Sequence, residues 1–304
     1  MNETGNVIQR LDVEATLPAP SGWQARLELQ FQAAGTRTHL AHRRHRGPLL
    51  IQRVFHPEAP ALAGALVAEP CHAYVLHPPG GVVSGDELQL EVDVQPGAHA
   101  LLTTPAAGKF YRRGQHADGE PRVARLIQTL RVQGGVLEWL PQENIFYPDT
   151  AVQLRTIVQL QAHARFIGWE MGCLGLPASQ ASLGDGALRQ SFELWHGDSP
   201  LLLERVNIGH ACLASRWGLA GHVALGTWLA FPASVRQLTL ARAGAAAVNC
   251  ADTMLACTLV DGVLSCRGFA ARADRLKQAF IDLWCALRPE LLGRPAIAPR
   301  IWAT

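Results

Sequence analysis

From Trp23 to Gln32 apolar and polar residues alternate one by one: Trp23, Ala25, Leu27, Leu29 and Phe31 against Gln24, Arg26, Glu28, Gln30 and Gln32. The same period of two runs through Leu88, Leu90, Val92 and Val94, with Gln89, Glu91, Asp93 and Gln95 between them. Successive side chains of a strand point to opposite faces, so these segments predict strands with one buried and one wet side, the pattern of antiparallel sheets. Turn signals separate the runs: "QPG" at 95–97, "QGG" at 133–135, "YPD" at 147–149 and "HGDSP" at 196–200. Many short strands so punctuated predict a sandwich, a barrel or a wound β solid. The period changes after Ala271. Leu276, Phe280, Leu283 and Leu287, with Trp284 beside them, fall on one helical face, and Gly293 marks its stop. A shorter helix is predicted within Pro232–Ala241. The expected plan is mainly β: a large many-stranded body over residues 1–230, then a helical and β segment over 231–304, packed on the same unit as one domain and carrying two helices.

Composition narrows the function classes. A chain of 304 residues that is 48% hydrophobic and 17% charged is globular and too apolar for disorder. A net charge of +2 is too balanced to predict nucleic acid or an anionic membrane as partner. Seven scattered cysteines with no CxxC pair predict neither a disulfide framework nor a zinc knuckle. Residues 1–14 contain no apolar core of a secretory signal, so a soluble, cytoplasmic protein is expected. The one long uncharged window, Trp217–Val235, holds three glycines, His222 and Pro232, and reads as a core strand.

Several stretches are lettered like chemistry. "HPPGGVVSGDELQL" and "TTPAAGKFYRR" contain paired prolines, paired glycines, a Ser-Gly and a Gly-Lys. A phosphate loop needs G-x-x-x-x-G-K-[ST], yet Thr103 and Phe110 occupy the first glycine and hydroxyl positions. A nucleophile elbow needs G-x-S-x-G, and Ser84 has no glycine two residues upstream. Both stretches therefore predict turns. His39, His42 and His45 recur at steps of three, but arginines separate them, and on a regular strand only His39 and His45 share a face. Carboxylates inside apolar strands are more informative. Glu204 shares its face with Leu202, Val206 and Ile208; Glu170 is enclosed in "RFIGWEMGCLG". Each must be paired, protonated or in contact with water. Partnering by Arg165, Arg205 or another base is one reading, and lining a water-filled passage for a cation is the other.

Taken together, "GPLLIQRVFHPE" at 47–58, "CHAYVLHPPGGVVSGDELQL" at 71–90, "LLTTPAAGKFYR" at 101–112, "LEWLPQENIFYP" at 137–148, "PLLLERV" at 200–206 and the terminal "RPAIAPRIWAT" resemble the urease accessory protein UreD (UreH) family. The likeness departs at residues 59–70, which look like an insertion, and at "HLAHRRH", whose histidines inherit no role. The resemblance implies a β-helix-like body and a non-enzymatic scaffold of nickel insertion. It also implies docking on urease apoprotein, recruitment of UreF and, through it, the GTPase UreG, in a two-fold dimer of heterotrimers. Nickel would be cargo in transit through an internal channel, with no cofactor permanently bound. On this reading Glu170 and Glu204 face the channel, and Leu276, Phe280, Leu283, Trp284 and Leu287 seat UreF or else cover the sheet. Two alternatives stand beside it: a hydrolase using Glu170 or Glu204 as general base, and a purely structural adaptor. A polar tunnel, a cleft with convergent acid and base, or a dry core would tell them apart.

Overall fold

A computed structural model describes residues 22–60, 67–114 and 122–303. The N-terminal stretch and the centre of the 59–70 segment lie outside the described residues.

The chain opens with a hairpin, β1 (Gln24–Ala34) and β2 (Arg37–Arg46), followed by the short β3 (Leu50–Ile51) and β4 (Cys71–Leu76). It then winds between two sheets: β5 (Glu87–Val94), β6 (His99–Thr103), β7 (Gly108–Phe110), β8 (Ala124–Val132), β9 (Val136–Trp139), β10 (Asn144–Phe146), β11 (Ala151–Leu160) and β12 (Arg165–Leu174). A hairpin of β13 (Ala187–His196) and β14 (Ser199–Ile208) ends the winding, and the one-turn α1 (His210–Ala214) leads to β15 (Ala224–Phe231). The last part comprises α2 (Val235–Val248), the hairpin β16 (Thr253–Val260) and β17 (Val263–Ala270), and α3 (Ala273–Leu292).

The first sheet has the order β14-β13-β11-β8-β5-β1-β2; the second runs β16-β17-β15-β12-β9-β6-β4-β3, with β10 and β7 attached beside β12. Within the first sheet β1, β5, β8, β11 and β13 are mutually parallel, and only the outer strands β2 and β14 run antiparallel. The alternating pattern thus belongs mostly to parallel strands. A parallel sheet usually has helices on both faces. Here each turn crosses directly from one sheet to the other, so the first sheet keeps an open outer face and its strands keep the polar-apolar alternation. The second sheet shows what coverage on both sides does: β6 and β9 are buried along their whole length and β12 at every residue but the first.

Two cores result. One lies between the sheets, built from Leu27, Leu29, Leu90, Val92, Leu130, Val158, Phe166, Leu194 and their neighbours. The other lies between the second sheet and the helices, built from Ile167, Trp169, Trp228, Leu264, Leu276, Phe280, Leu283, Trp284 and Leu287. The uncharged window Trp217–Val235 contains β15, a strand of this second core.

Local chemistry explains the helix ends. The Ser234 side chain accepts from the Arg236 amide, and Gln237 reaches back to the Ser234 amide, a capping box that starts α2. Gly293, at φ 67°, ends α3 in the left-handed conformation that glycine adopts without steric cost. Gly226 lets α3 approach the sheet: a Cβ there would lie 2.9 Å from the Phe280 ring. The "HPPGG" stretch is a turn, with the Gly80 amide bonded to the His77 carbonyl at 3.0 Å, and the Asp86 carboxylate accepts from the amides of Trp23 and Val83.

Candidate functional site

The register of the parallel strands builds the site. Thr156 stands beside Gln128 on one side and Phe192 on the other, and Phe192 stands opposite Glu204. One lateral row on the inner face of the first sheet therefore reads Glu204, Phe192, Thr156, Gln128. The facing row of the second sheet reads Arg267, Thr227, Glu170. Across the gap the two rows join. The Thr156 hydroxyl donates to Glu170 Oε1 in a short contact, and the Gln128 amide donates to the same oxygen at 3.2 Å. The Gln190 amide donates to Oε2 at 2.6 Å. Gly168 and Gly172 flank Glu170 where a Cβ would strike the Phe166 and Phe146 rings at 2.5 and 2.8 Å.

Among the described residues Glu170 thus has three neutral donors and no cation against it. Burial pushes its carboxyl up to about 7 and nearby Glu204 adds to the effect, against the opposing hydrogen bonds of Thr156, Gln190 and Gln128. Glu204 does have a cation. Arg267 Nη2 lies 3.1 Å from its Oε2, and the Thr227 hydroxyl reaches Oε1 at 3.4 Å. Neither base named from the sequence fills that role: Arg205 pairs with Glu193 at 3.0 Å, and Arg165 donates to the Leu291 carbonyl. Strand pairing of β13 with β14 brings Glu193 to Arg205, and the C-terminal end of α3 brings the Leu291 carbonyl to Arg165.

Glu170 and Glu204, 34 residues apart in the chain, line one cavity of about 350 Å³ together with Gln190, Thr227 and Arg267. A second cavity of about 220 Å³, bordered by His77, Thr104, Lys109, Asn144 and Gln128, opens on the other side. Gln128 borders the second cavity and bonds Glu170 of the first, so one hydrogen-bonded group of amide, hydroxyl and carboxyl separates the two spaces. Among the described residues, no three His, Cys, Asp or Glu side chains converge as a set that could hold a metal ion.

A second polar centre escaped the sequence reading. Arg288, fully buried on α3, contacts both Glu58, with Nη2–Oε1 at 2.7 Å, and Glu138, with Nη2–Oε1 at 2.8 Å. His72 meets Glu58 at 2.9 Å, His99 meets Glu138 at 2.7 Å, and the Trp284 indole donates to Glu138 at 2.7 Å. Burial by itself would raise the Glu138 carboxyl; Arg288 and His99 outweigh it and hold the group well below the ordinary range. Burial likewise holds the His99 imidazole below its ordinary value, against the pull of Glu138. The signal was available: Arg288 follows Trp284 by four residues and so lies on the apolar stripe of the helix.

The histidine tract lies on the edge strand β2. A bulge at Ala41 changes its alternation, since Phe31 pairs with Leu40 while Gln30 pairs with His42. His39 and His42 consequently share the outer face and His45 takes the inner one, contrary to the regular alternation expected. The helical stripe also corrects an expectation. Leu276, Phe280, Leu283, Trp284 and Leu287 are each at most 3% exposed, packed into the core under α3, and cannot seat another protein. No helix among the described residues is long and apolar enough to cross a membrane.

Fold and site together define a two-sheet β solenoid under a helical cover, with titratable groups set along an internal gap. Comparison with known proteins narrows the class. Residues 24–303 match the family model described as UreD urease accessory protein. The chain is 41% identical to the urease accessory protein UreD of Pseudomonas putida (strain W619) over 93% of this chain and 95% of that one. It is 38% identical to those of Enterobacter sp. (strain 638) and Klebsiella pneumoniae, covering 93% and 94% of this chain and 96% and 99% of theirs. The chain belongs to the UreD urease accessory protein family, and its role lies with the machinery that matures urease.

Proposed function

We propose that this chain is a scaffold of nickel insertion and that nickel reaches urease apoprotein through the gap between its two sheets. The observation that carries the reading is the convergence of Glu170 and Glu204 on one cavity, with Gln128 joining it to a second. Nickel(II) accepts oxygen and nitrogen donors, and a conduit needs contacts favourable enough to admit the ion yet weak enough to release it. Carboxylates met singly, with amide and hydroxyl groups between them, supply such contacts. Glu170, poised near pH 7, can release its proton as the cation arrives and take it back as the ion leaves. A hydrolase has less support: Thr156, the hydroxyl bonded to Glu170, is fully buried and cannot meet a substrate.

UreF and, through it, UreG are the proposed partners, in a dimer of heterotrimers. With the α3 stripe buried, the UreF contact moves to the apolar side chains that the C-terminal segment leaves exposed: Val235 and Leu240 on α2, Met254 and Val260 on β16. The test is activation of apourease in a reconstituted system containing Glu170→Ala or Glu204→Ala protein that still co-purifies with UreF. Nickel loading should fall in both variants; unchanged loading would refute the conduit.

A further inference from the structure

The edge strand β2 carries "HLAHRRHR" from His39 to Arg46, and every one of these residues except Leu40 is exposed. One or two charges suffice to blunt a sheet edge; here six of eight residues are Arg or His, and no acidic residue occurs from Gln32 to Pro57. Among the described residues Arg43, Arg44 and Arg46 form no ion pair. Glu28, opposite Arg44, is taken by Arg26 at 2.8 Å.

The backbone of this edge is open as well. In the two-residue hairpin Ala34 and Arg37 form the first hydrogen-bonded pair, and alternation around the bulge leaves Thr38, Leu40, Arg43 and His45 with amides and carbonyls pointing away from β1. Thr38 obeys this rule, since its amide bonds the Glu69 carbonyl at 3.0 Å. Beyond it, no strand among the described residues neighbours Leu40, Arg43 and His45 on this side.

We propose that β2 is a docking edge for an acidic polypeptide segment of a partner protein, which adds as an extra strand beside it. Three observations select this occupant. The basic side chains project to both faces of the sheet: His39, His42, Arg44 and Arg46 on the outer face with Gln32, Gln30, Glu28 and Arg26, and Arg43 and His45 on the inner with Leu29 and Leu27. A strand in the sheet plane meets both sets, whereas a lipid surface meets one. The open amides and carbonyls match a peptide backbone, which neither nucleic acid nor lipid supplies. A second copy of β2 is opposed by like charge.

The experiment uses the full chain and a labelled octapeptide, Val-Glu-Asp-Val-Glu-Glu-Val-Asp, acetylated and amidated, read by fluorescence anisotropy at low salt. Two further peptides carry N-methyl groups at odd or at even positions, and single-stranded RNA and vesicles containing phosphatidylserine serve as other polyanions. Binding of the plain peptide is expected, weakened about tenfold or more by one N-methyl pattern and by His45→Pro, which removes an outward amide at an edge position that tolerates proline. His45→Val should retain binding, and the Arg44→Glu/Arg46→Glu double variant should abolish it. Equal binding of all three peptides, indifference to His45→Pro in protein of unchanged circular dichroism, or binding only of RNA or vesicles would overturn the proposal.

Discussion

Replacing Glu170 with glutamine removes one titrating proton and leaves the volume and most hydrogen bonds of the site in place. The amide oxygen can accept from Thr156 and Gln128, and Gln190 can turn its own oxygen toward the new amide. In the native protein burial pushes the carboxyl from 4.5 to about 7, so between these values the folded chain holds a proton that the unfolded chain has lost. Stability rises with pH where the unfolded state binds more protons, so for this group the sign is reversed. Its contribution is greatest below pH 4.5 and falls as pH rises toward 7. At 1.36 kcal/mol per pH unit the total is about 3 kcal/mol, of which roughly 2–3 kcal/mol is lost between pH 5 and 8. Urea unfolding of wild type and Glu170→Gln at pH 5, 6, 7 and 8 measures this, because the difference between the two curves cancels groups common to both. Glu204 and Arg267, which line the same cavity, are present in both proteins. The variant should gain on wild type as pH rises and be the more stable protein at pH 8. Its ability to support nickel loading should nevertheless fall, since an amide cannot exchange a proton for a cation. Parallel stability curves would refute the assignment of Glu170 as a carboxyl held partly neutral near pH 7.

Other changes have definite directions. Arg288→Met strands Glu138 without its cation, leaves Glu58 only Arg294 at 3.9 Å, and should lower unfolding free energy by about 3–5 kcal/mol, with partial recovery at acid pH as those carboxyls take up protons; urea titration at pH 5 and 7.5 checks both. Phe280→Ala, at a fully buried position, should lower stability by about 3–5 kcal/mol in the same assay. Phe280→Asp should yield little folded protein, and any loss of UreF contact in it would report unfolding. Glu204→Gln breaks a pair whose arginine is 45% exposed, so its stability should change by no more than about 1 kcal/mol while apourease activation slows; a large stability loss would make Glu204 structural. Met254→Glu with Leu240→Glu should leave circular dichroism unchanged and reduce co-purification with UreF.

Alternation of side chains was enough to place Leu27, Leu29, Leu90 and Val92 inside, and the step of three and four residues was enough to place α3. The buried carboxylate Glu170 could be found because an acid between apolar neighbours has few places to go. Glu138 in "LEWLP" gives the same signal, and Arg288 completes the apolar stripe of α3, so the second polar centre was also within reach. The parallel direction of the strands was not, because a single-faced alternation looks the same whichever way the neighbour runs.

The amino-acid order by itself determined which side chains of β1 and β5 face inward, where α3 stops, and the family to which the chain belongs; α2 runs on to Val248, past the predicted Ala241. Only the tertiary structure decided that Glu170 and Glu204 share a cavity, that Arg267 answers Glu204, and that Gln128 stands between two spaces. The physical reason is register: these contacts join strands far apart in the chain, and a slip of one residue would turn every inward group outward.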